Sequence, residues 1–117
     1  GIASLLRGRG GAMADLNLDG LLDLAVVNRQ GPLELYQNIT RGAGNWLAVK
    51  LRQAAPNRDA IGAWIEVRVG DHMFARELTV GGGHAGGQIT AEHFGLGLAL
   101  SAQIRVIWPD QTVSDWQ

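Results

Sequence analysis

Residues 15–23 read DLNLDGLLD, a stretch whose oxygen-bearing side chains have the spacing of a calcium-binding loop. Side-chain oxygens fall at positions 1, 3, 5 and 9 of the stretch, position 7 can offer its backbone carbonyl, and glycine at position 6 permits a sharp turn. Calcium takes roughly six to eight hard oxygen ligands, and a divalent cation offsets the repulsion among neighbouring carboxylates. The stretch therefore predicts a Ca²⁺ cofactor held by Asp15, Asn17, Asp19, Leu21 and Asp23.

Other interpretations of the same stretch follow from its composition. Magnesium suits it less well, because that ion usually keeps several waters and uses fewer protein ligands. An EF-hand is excluded, because its glutamate belongs at position 12, which is Val26 here, and the flanking residues have strand character. A plain surface turn built from Asp, Asn and Gly is the remaining alternative, and it stays open at this point.

Two tryptophans form the second candidate site. In WLAVKLR (46–52) and GAWIEVRVG (62–70), apolar residues alternate with Trp46 and Trp64 and their charged neighbours, which predicts that both rings face away from the core. Exposed aromatic rings beside polar groups can stack on sugars or anchor a protein partner. The competing interpretation is that another part of the protein covers these rings, because large exposed apolar patches are rare.

The residues that could carry catalysis are few. The chain contains no cysteine, and none of its serines lies in a G-x-S-x-G elbow. His84, His93 and Glu92 are too loosely spaced for a good zinc site, and the glycine-rich stretch GGGHAGGQ (81–88) does not open a helix as phosphate-binding loops do. We therefore predict no catalytic residues and no enzymatic activity.

Composition and charge exclude further classes. The net charge of −1 gives no reason to expect binding to nucleic acid. No apolar run reaches the ~18 residues of a membrane helix, so membrane insertion is not predicted. The chain has 17 glycines but only 3 prolines, and 46% of its residues are hydrophobic, which indicates a folded chain with many tight turns.

Period-2 patterns dominate the sequence and predict an all-β protein. Strands are expected at 21–28, 33–38, 46–52, 62–70, 73–80, 103–109 and 112–117. Arg76 interrupts the apolar series of the 73–80 segment, so the inward face of that strand is ambiguous. Short strands at regular spacing favour an antiparallel β-sandwich, preceded by a hairpin that carries the calcium loop.

The segment GAMADLNLDGLLDLAVVNRQGPLELYQN (11–38) resembles an FG-GAP/VCBS-type repeat of β-propellers. Small residues, the D-x-N-x-D-G-x-x-D loop, an apolar strand and a hairpin follow one another in that family's order. The resemblance implies calcium bound by Asp15, Asn17, Asp19 and Asp23, and an extracellular or periplasmic setting. Because one such repeat cannot bury its own faces, we expect it either to be the last repeat of a larger protein or to pack onto the residues that follow it.

Residues 45–117 resemble the ASPIC/UnbV domain. The resemblance rests on NWLAVKLR (45–52), NRDAIGAWIEVRVG (57–70), HFGLG (93–97) and IRVIWPDQTV (104–113), in this order. The stretch 81–88 departs from the family, which often carries Tyr and Ser there. We expect Arg58 or Asp59 to tie down loop backbone, and Phe94 and Leu96 to contact the core at a bend.

Together these observations predict two domains, a calcium-loop hairpin at 1–44 and a β-sandwich at 45–117. The predicted function is a non-catalytic, calcium-binding structural and binding module, the C-terminal part of a secreted, periplasmic or cell-surface repeat protein. Its predicted partner is a protein or a glycan. The alternative function is an accessory carbohydrate-binding module of a larger extracellular enzyme.

Overall fold

The computed structural model describes residues 4–82, 86–88 and 91–117, and every regular element in these ranges is a β-strand. The strands are β1 (Gly8–Ala14), β2 (Asp23–Asn28), β3 (Glu34–Tyr36), β4 (Asn45–Val49), β5 (Trp64–Val69), β6 (His72–Glu77), β7 (Gly81–Gly82), β8 (Gly86–Gly87), β9 (Glu92–Gly97) and β10 (Gln103–Ile107). All pairings between them are antiparallel. The predicted fold class, an all-β antiparallel protein of the sandwich type, is confirmed.

The chain divides into two compact units. The first comprises Gly1–Ala43 and Gly81–Gln88, and the second comprises Gly44–Val80 and Ile89–Gln117. The predicted division into domains at 1–44 and 45–117 stays a prediction. His84, which was considered as a metal ligand, lies outside the described residues.

The first unit is built on a three-stranded sheet in the order β1-β2-β3. Its strand β1 was not predicted, because GRGGAMA has three glycines and no long apolar alternation. The strand forms because it pairs with the apolar strand β2, which places Ala25 opposite Ala12 and Leu24 opposite Met13. Tertiary pairing has therefore overridden a weak local preference for strand.

The second unit contains the hydrophobic core. A three-stranded sheet in the order β10-β5-β6, a two-stranded sheet β4-β9 and the segments that connect them all contribute to it. On β5, the fully buried Ile65 and Val67 alternate with the outward-facing Trp64, Glu66 and Arg68, as period-2 geometry requires. The buried cluster consists of Leu51, Ala60, Ala63, Ile65, Val67, Leu78, Phe94 and Val106.

The HFGLG segment is a strand, β9, and not the bend that the sequence predicted. Phe94 is 2% exposed and Leu96 packs against the core, so the expected core contacts form from one face of a strand. Near the end of this strand, the backbone of Gly44 approaches Gly97 so closely that a Cβ on Gly44 would overlap it. Gly44 also has a φ of +83°, a conformation that glycine adopts without steric cost.

The loop before β5 is held by Asn57 and not by the side chains of Arg58 or Asp59. The Asn57 amide donates to the carbonyl of Ile61 at 2.9 Å and accepts from its N–H at 3.0 Å. Asp59 instead forms an ion pair with Arg52. An amide can donate and accept at once, which a guanidinium or a carboxylate cannot do.

The C-terminal segment pairs with β10 through a bridge and not through a full strand. Val113 bridges Ile107, the N–H of Ser114 donates to Val106 O at 2.9 Å, and Gln117 exchanges two backbone hydrogen bonds with Ile104. This segment therefore covers one edge of the three-stranded sheet. No helix in the described ranges is long and apolar enough to cross a membrane.

Candidate calcium loop and aromatic surfaces

The predicted calcium loop connects β1 to β2 in the first unit. β1 ends at Ala14 and β2 begins at Asp23, so both strands fix the ends of the loop. Within it, Leu18 and Gly20 have φ values of 61° and 88°. Left-handed residues turn the backbone sharply, and they bring the side chains on either side of the turn towards each other.

Asp15 organises the turn by accepting hydrogen bonds with both carboxylate oxygens. Its Oδ1 accepts from the N–H of Asp19 at 3.0 Å, and its Oδ2 accepts from the N–H of Gly20 at 2.8 Å. Asn17 Oδ1 also approaches the N–H of Asp19, at 3.4 Å. Oxygen atoms of Asp15 and Asn17 therefore lie near the same backbone nitrogen.

Asp19 belongs to the same cluster. Its Oδ2 accepts from the side-chain amide of Asn17 at 2.8 Å, and its Oδ1 accepts from the N–H of Leu21 at 2.9 Å. Leu21 thus contacts the cluster through its N–H group. Three of the predicted ligands, Asp15, Asn17 and Asp19, are consequently joined in one hydrogen-bonded turn.

Asp23 has a different environment from the other two aspartates. It is 4% exposed, and its Oδ2 accepts from the N–H of Leu16 at 3.1 Å. Its Oδ1 accepts from the N–H of Asn38 at 2.8 Å. Asp23 therefore ties the start of the loop to the segment that follows β3.

The donor set of the loop fits calcium in its chemistry. Carboxylate and amide oxygens are hard ligands, and each oxygen that accepts one hydrogen bond keeps a second lone pair. Within the part of the chain that the structure describes, however, no three His, Cys, Asp or Glu side chains are grouped as a metal site. The described form of the loop is closed by its own hydrogen bonds.

A polar cluster on β3 was missed by the sequence analysis. Glu34 Oε2 accepts from Asn28 Nδ2 at 2.7 Å and from Ser4 Oγ at 3.0 Å, while its Oε1 accepts from the Tyr36 hydroxyl at 2.9 Å. The bonds from Asn28 and Tyr36 lower the pKa of Glu34, and the bond to Glu34 raises the pKa of Tyr36. The available signal was that Glu34 and Tyr36 stand two residues apart, on one face of a strand.

Trp46 and Trp64 lie on two different sheets of the second unit. Trp46 is on β4, and its ring stacks on His93 with the centroids 5.4 Å apart and an interplanar angle of 13°. Trp64 is on β5, where it pairs with Glu77 and Ile107. The two residues are 42% and 43% exposed, so both face outward as predicted, but they do not share one sheet face.

A third tryptophan contributes to the outward face of the three-stranded sheet. The guanidinium groups of Arg68 and Arg105 lie 4.3 Å and 4.6 Å from the ring centroid of Trp116. Arg105 also donates to Glu66 at 2.6 Å. These cation–π contacts hold the C-terminal segment on the sheet that it borders.

Comparison with known proteins gives matches for most of the chain. The model of the family described as ASPIC and UnbV matches residues 53–117. Cartilage acidic protein 1 from Mus musculus and from Homo sapiens are each 31% identical over 109 residues, which cover 89% of this chain. The match covers 17% of the mouse protein and 16% of the human protein, so the chain spans about one sixth of these relatives. No solved structure matches the chain.

Proposed function

This chain belongs to the ASPIC and UnbV family, and we propose that it is a non-catalytic structural and binding module of a secreted, periplasmic or cell-surface protein. In this proposal residues 11–38 form an FG-GAP/VCBS-type repeat, and the loop of residues 15–23 binds calcium. The similarity to cartilage acidic protein 1 supports a setting outside the cytoplasm, because cartilage consists largely of extracellular matrix.

The hydrogen bonds of Asp15 are the observation that carries the calcium proposal. By accepting from the N–H groups of Asp19 and Gly20, Asp15 holds the backbone in the turn that brings the Asn17 and Asp19 side chains beside its own. Ligands that are already arranged lose less conformational entropy when an ion binds. Asp15, Asn17 and Asp19 would hold the ion, with Leu21 and Asp23 completing the predicted set.

Calcium would act on the first unit by neutralising two adjacent carboxylates. Asp15 and Asn17 both lie near the N–H of Asp19, and the Asp19 carboxylate accepts from the Asn17 amide. The negative charges of Asp15 and Asp19 therefore lie close together. Asp23 connects this loop to Asn38, after β3. A bound cation would therefore stabilise the arrangement of the whole three-stranded sheet, and the role of the ion is structural.

The test is thermal unfolding in the presence of calcium and in the presence of excess chelator. Unfolding is monitored through the NMR signals of Tyr36, the single tyrosine, which lies on β3. We expect calcium to raise the midpoint of the Tyr36 transition, because a ligand that binds only the folded state stabilises it. Asp19→Ala should abolish the increase. Asp71→Ala, at an exposed aspartate between β5 and β6, is the matched control and should retain it. Identical melting curves in calcium and chelator would contradict the proposal.

The second candidate function, an accessory carbohydrate-binding module of a larger extracellular enzyme, is favoured by the surroundings of Trp46. The strand residue opposite Trp46 is Gly95, and a Cβ atom added to Gly95 would meet nothing within 4 Å apart from its chain neighbours. The His93 ring supports the indole from one side. A half-exposed indole beside open space is a suitable platform for stacking a sugar ring.

Because Trp46 and Trp64 lie on different sheets, single substitutions discriminate between one platform and a shared site. We expect Trp46→Ala to abolish binding on a glycan array and Trp64→Ala to leave it unchanged. Both variants should keep the unfolding midpoint of the parent chain within a few degrees, since both rings are partly exposed. Equal signals from the parent and Trp46→Ala would exclude this function for the β4-β9 surface.

A further inference from the structure

The edge strand β6 is the most exposed strand of the second unit. All six of its residues, His72–Glu77, are exposed, and the large apolar residues Met73 and Phe74 are 57% and 44% exposed. The sheet order β10-β5-β6 places it at one margin, whereas the C-terminal segment covers the margin at β10. Among the described residues no strand pairs with the outer side of β6, and an open edge of this kind is a template for pairing with another strand.

The backbone groups that face this open margin can be identified from the hydrogen bonds at Leu78. The N–H of Leu78 donates to Ala63 O at 2.8 Å, and its carbonyl accepts from the N–H of Gly62 at 2.8 Å, so both groups point towards the β5 side. Because directions alternate along a strand, Phe74 and Arg76 also bond to β5. Met73, Ala75 and Glu77 therefore direct their N–H and carbonyl groups to the open margin.

Arg76 makes this margin selective. Its register partner is Ile65, which is fully buried, so Arg76 lies on the core-facing side of the sheet. Its guanidinium is 5.4 Å from the centroid of the Phe94 ring. An inward-facing charge on an edge strand discourages indiscriminate pairing, and a strand that pairs with β6 must offer this guanidinium a suitable neighbour.

We propose that β6 is a self-association edge, at which two copies of this chain pair antiparallel about a twofold axis that passes through Ala75. In this register Ala75 lies opposite Ala75 of the second copy, and their outward N–H and carbonyl groups form a hydrogen-bonded pair. Met73 of each copy lies opposite Glu77 of the other, and the outward N–H and carbonyl groups of these two residues also form a hydrogen-bonded pair. The three-stranded sheets then form one continuous sheet.

The side chains favour a second copy as the occupant, because the register is self-complementary. Phe74 of each copy lies directly opposite Arg76 of the other, on the core-facing side of the joined sheet. The exposed phenyl ring thus provides the aromatic neighbour that the inward guanidinium already has in Phe94. Such cross-strand pairs stabilise sheets, and a cation near an aromatic face is attracted to it.

Cysteine cross-linking tests this register directly, since the chain contains no cysteine. Paired Cα atoms in an antiparallel ladder are about 5.5 Å apart, which is within the span of a disulfide. We expect Ala75→Cys to form disulfide dimers roughly tenfold faster than Ala48→Cys, because pairing raises the effective concentration of the thiols. Ala48 is the matched control, an exposed strand alanine on β4. Equal rates for the two variants would overturn the proposal.

Two further measurements test the same pairing independently. A mixture of Phe74→Cys and Arg76→Cys chains should form mixed disulfides faster than either chain alone forms its own. In sedimentation equilibrium the parent chain should approach twice its monomer mass as concentration rises, and Ala75→Pro should remain monomeric. Proline removes the outward N–H at that position, and edge strands tolerate it where the N–H points away from the sheet. A parent chain that stays monomeric would refute self-association, and a strand from a different protein would then be the better occupant. Mixed disulfides that form no faster than the others would refute the register.

Discussion

In the second unit the buried side chains are apolar, whereas in the described part of the first unit they are polar. All eight members of the buried hydrophobic cluster lie between Leu51 and Val106, outside the first unit. The buried side chains of the first unit are Asp23, at 4% exposure, and Asn28, at 8%. Asp23 accepts from two backbone N–H groups, and Asn28 donates to Pro32 O and to Glu34.

The difference teaches how each unit responds to change. Apolar burial is roughly proportional to area and has no preferred direction, so the second unit depends on the volume and shape of its side chains. Buried hydrogen bonds depend on individual atoms, so the first unit depends on a few acceptors. The first unit also leaves Met13, Leu16 and Leu35 more than half exposed, so apolar burial contributes less to its described part than to the second unit.

The largest expected effect comes from the core of the second unit. Ile65→Ala should lower the free energy of unfolding by about 2–5 kcal/mol, because the fully buried side chain leaves a cavity. Tryptophan fluorescence in urea measures it, since all four tryptophans lie in the second unit. The control Val27→Ala, at a residue 56% exposed in the first unit, should change the fluorescence midpoint little. Equal losses for both would show that the units do not differ in this way.

A smaller and local effect is expected at Asp23. Asp23→Ala removes the acceptor of the Leu16 and Asn38 N–H groups, which should cost the first unit about 1–3 kcal/mol. Hydrogen exchange of residues 15–38 should accelerate, while the tryptophan fluorescence midpoint stays near that of the parent. Asp115→Ala, at an exposed aspartate of the second unit, is the comparison variant. Unchanged exchange in Asp23→Ala would contradict the anchoring role.

The smallest expected effect is the pH response of the Glu34 cluster. Hydrogen bonds from Asn28 and Tyr36 lower the pKa of Glu34 from its ordinary 4.5, so their stabilising contribution is present above 4.5 and is lost as the pH falls through the lowered folded-state pKa. The first unit should therefore become less stable in acid, as measured by hydrogen exchange of residues 23–38. Glu34→Gln should flatten this dependence, and Glu77→Gln, on exposed β6, should not.

Tyr36 gives a direct measurement of the same contact. Its hydrogen bond to Glu34 raises the pKa of the phenol above 10.0. Because Tyr36 is the single tyrosine, ultraviolet titration of phenolate should report this value without interference from another residue. The titration midpoint should fall in Glu34→Gln, and an unaltered midpoint would show that the carboxylate is not the cause.

Sequence patterns predicted the fold best where apolar alternation was long. The buried residues of β5 and the outward direction of Trp64 follow from the period of the strand alone. Strand β1 could not be predicted in this way, because its stability as a strand comes from its partner β2. Arg76 was ambiguous for a related reason: an edge strand tolerates a charge at a core-facing position.

For the candidate site, spacing predicted which residues share the loop but not their individual roles. Asp15, Asn17 and Asp19 come together in one turn, as alternate positions of a tight loop should. The anchoring role of Asp23 depends on the N–H of Asn38, which is brought near only by the pairing of β2 with β3. Likewise, the assignment of Trp46 and Trp64 to separate sheets is set by strand pairing, which the identity of either residue does not reveal.

The pairing of β4 with β9 has a consequence for the order in which the second unit folds. β5 and β6 are joined by a two-residue turn, whereas residues 50–91 separate β4 from β9. Closing a long segment costs more chain entropy than closing a hairpin. The β5-β6 hairpin should therefore nucleate early, and the tight approach of Gly44 to Gly97 should form among the last contacts, so that substitutions there chiefly accelerate unfolding.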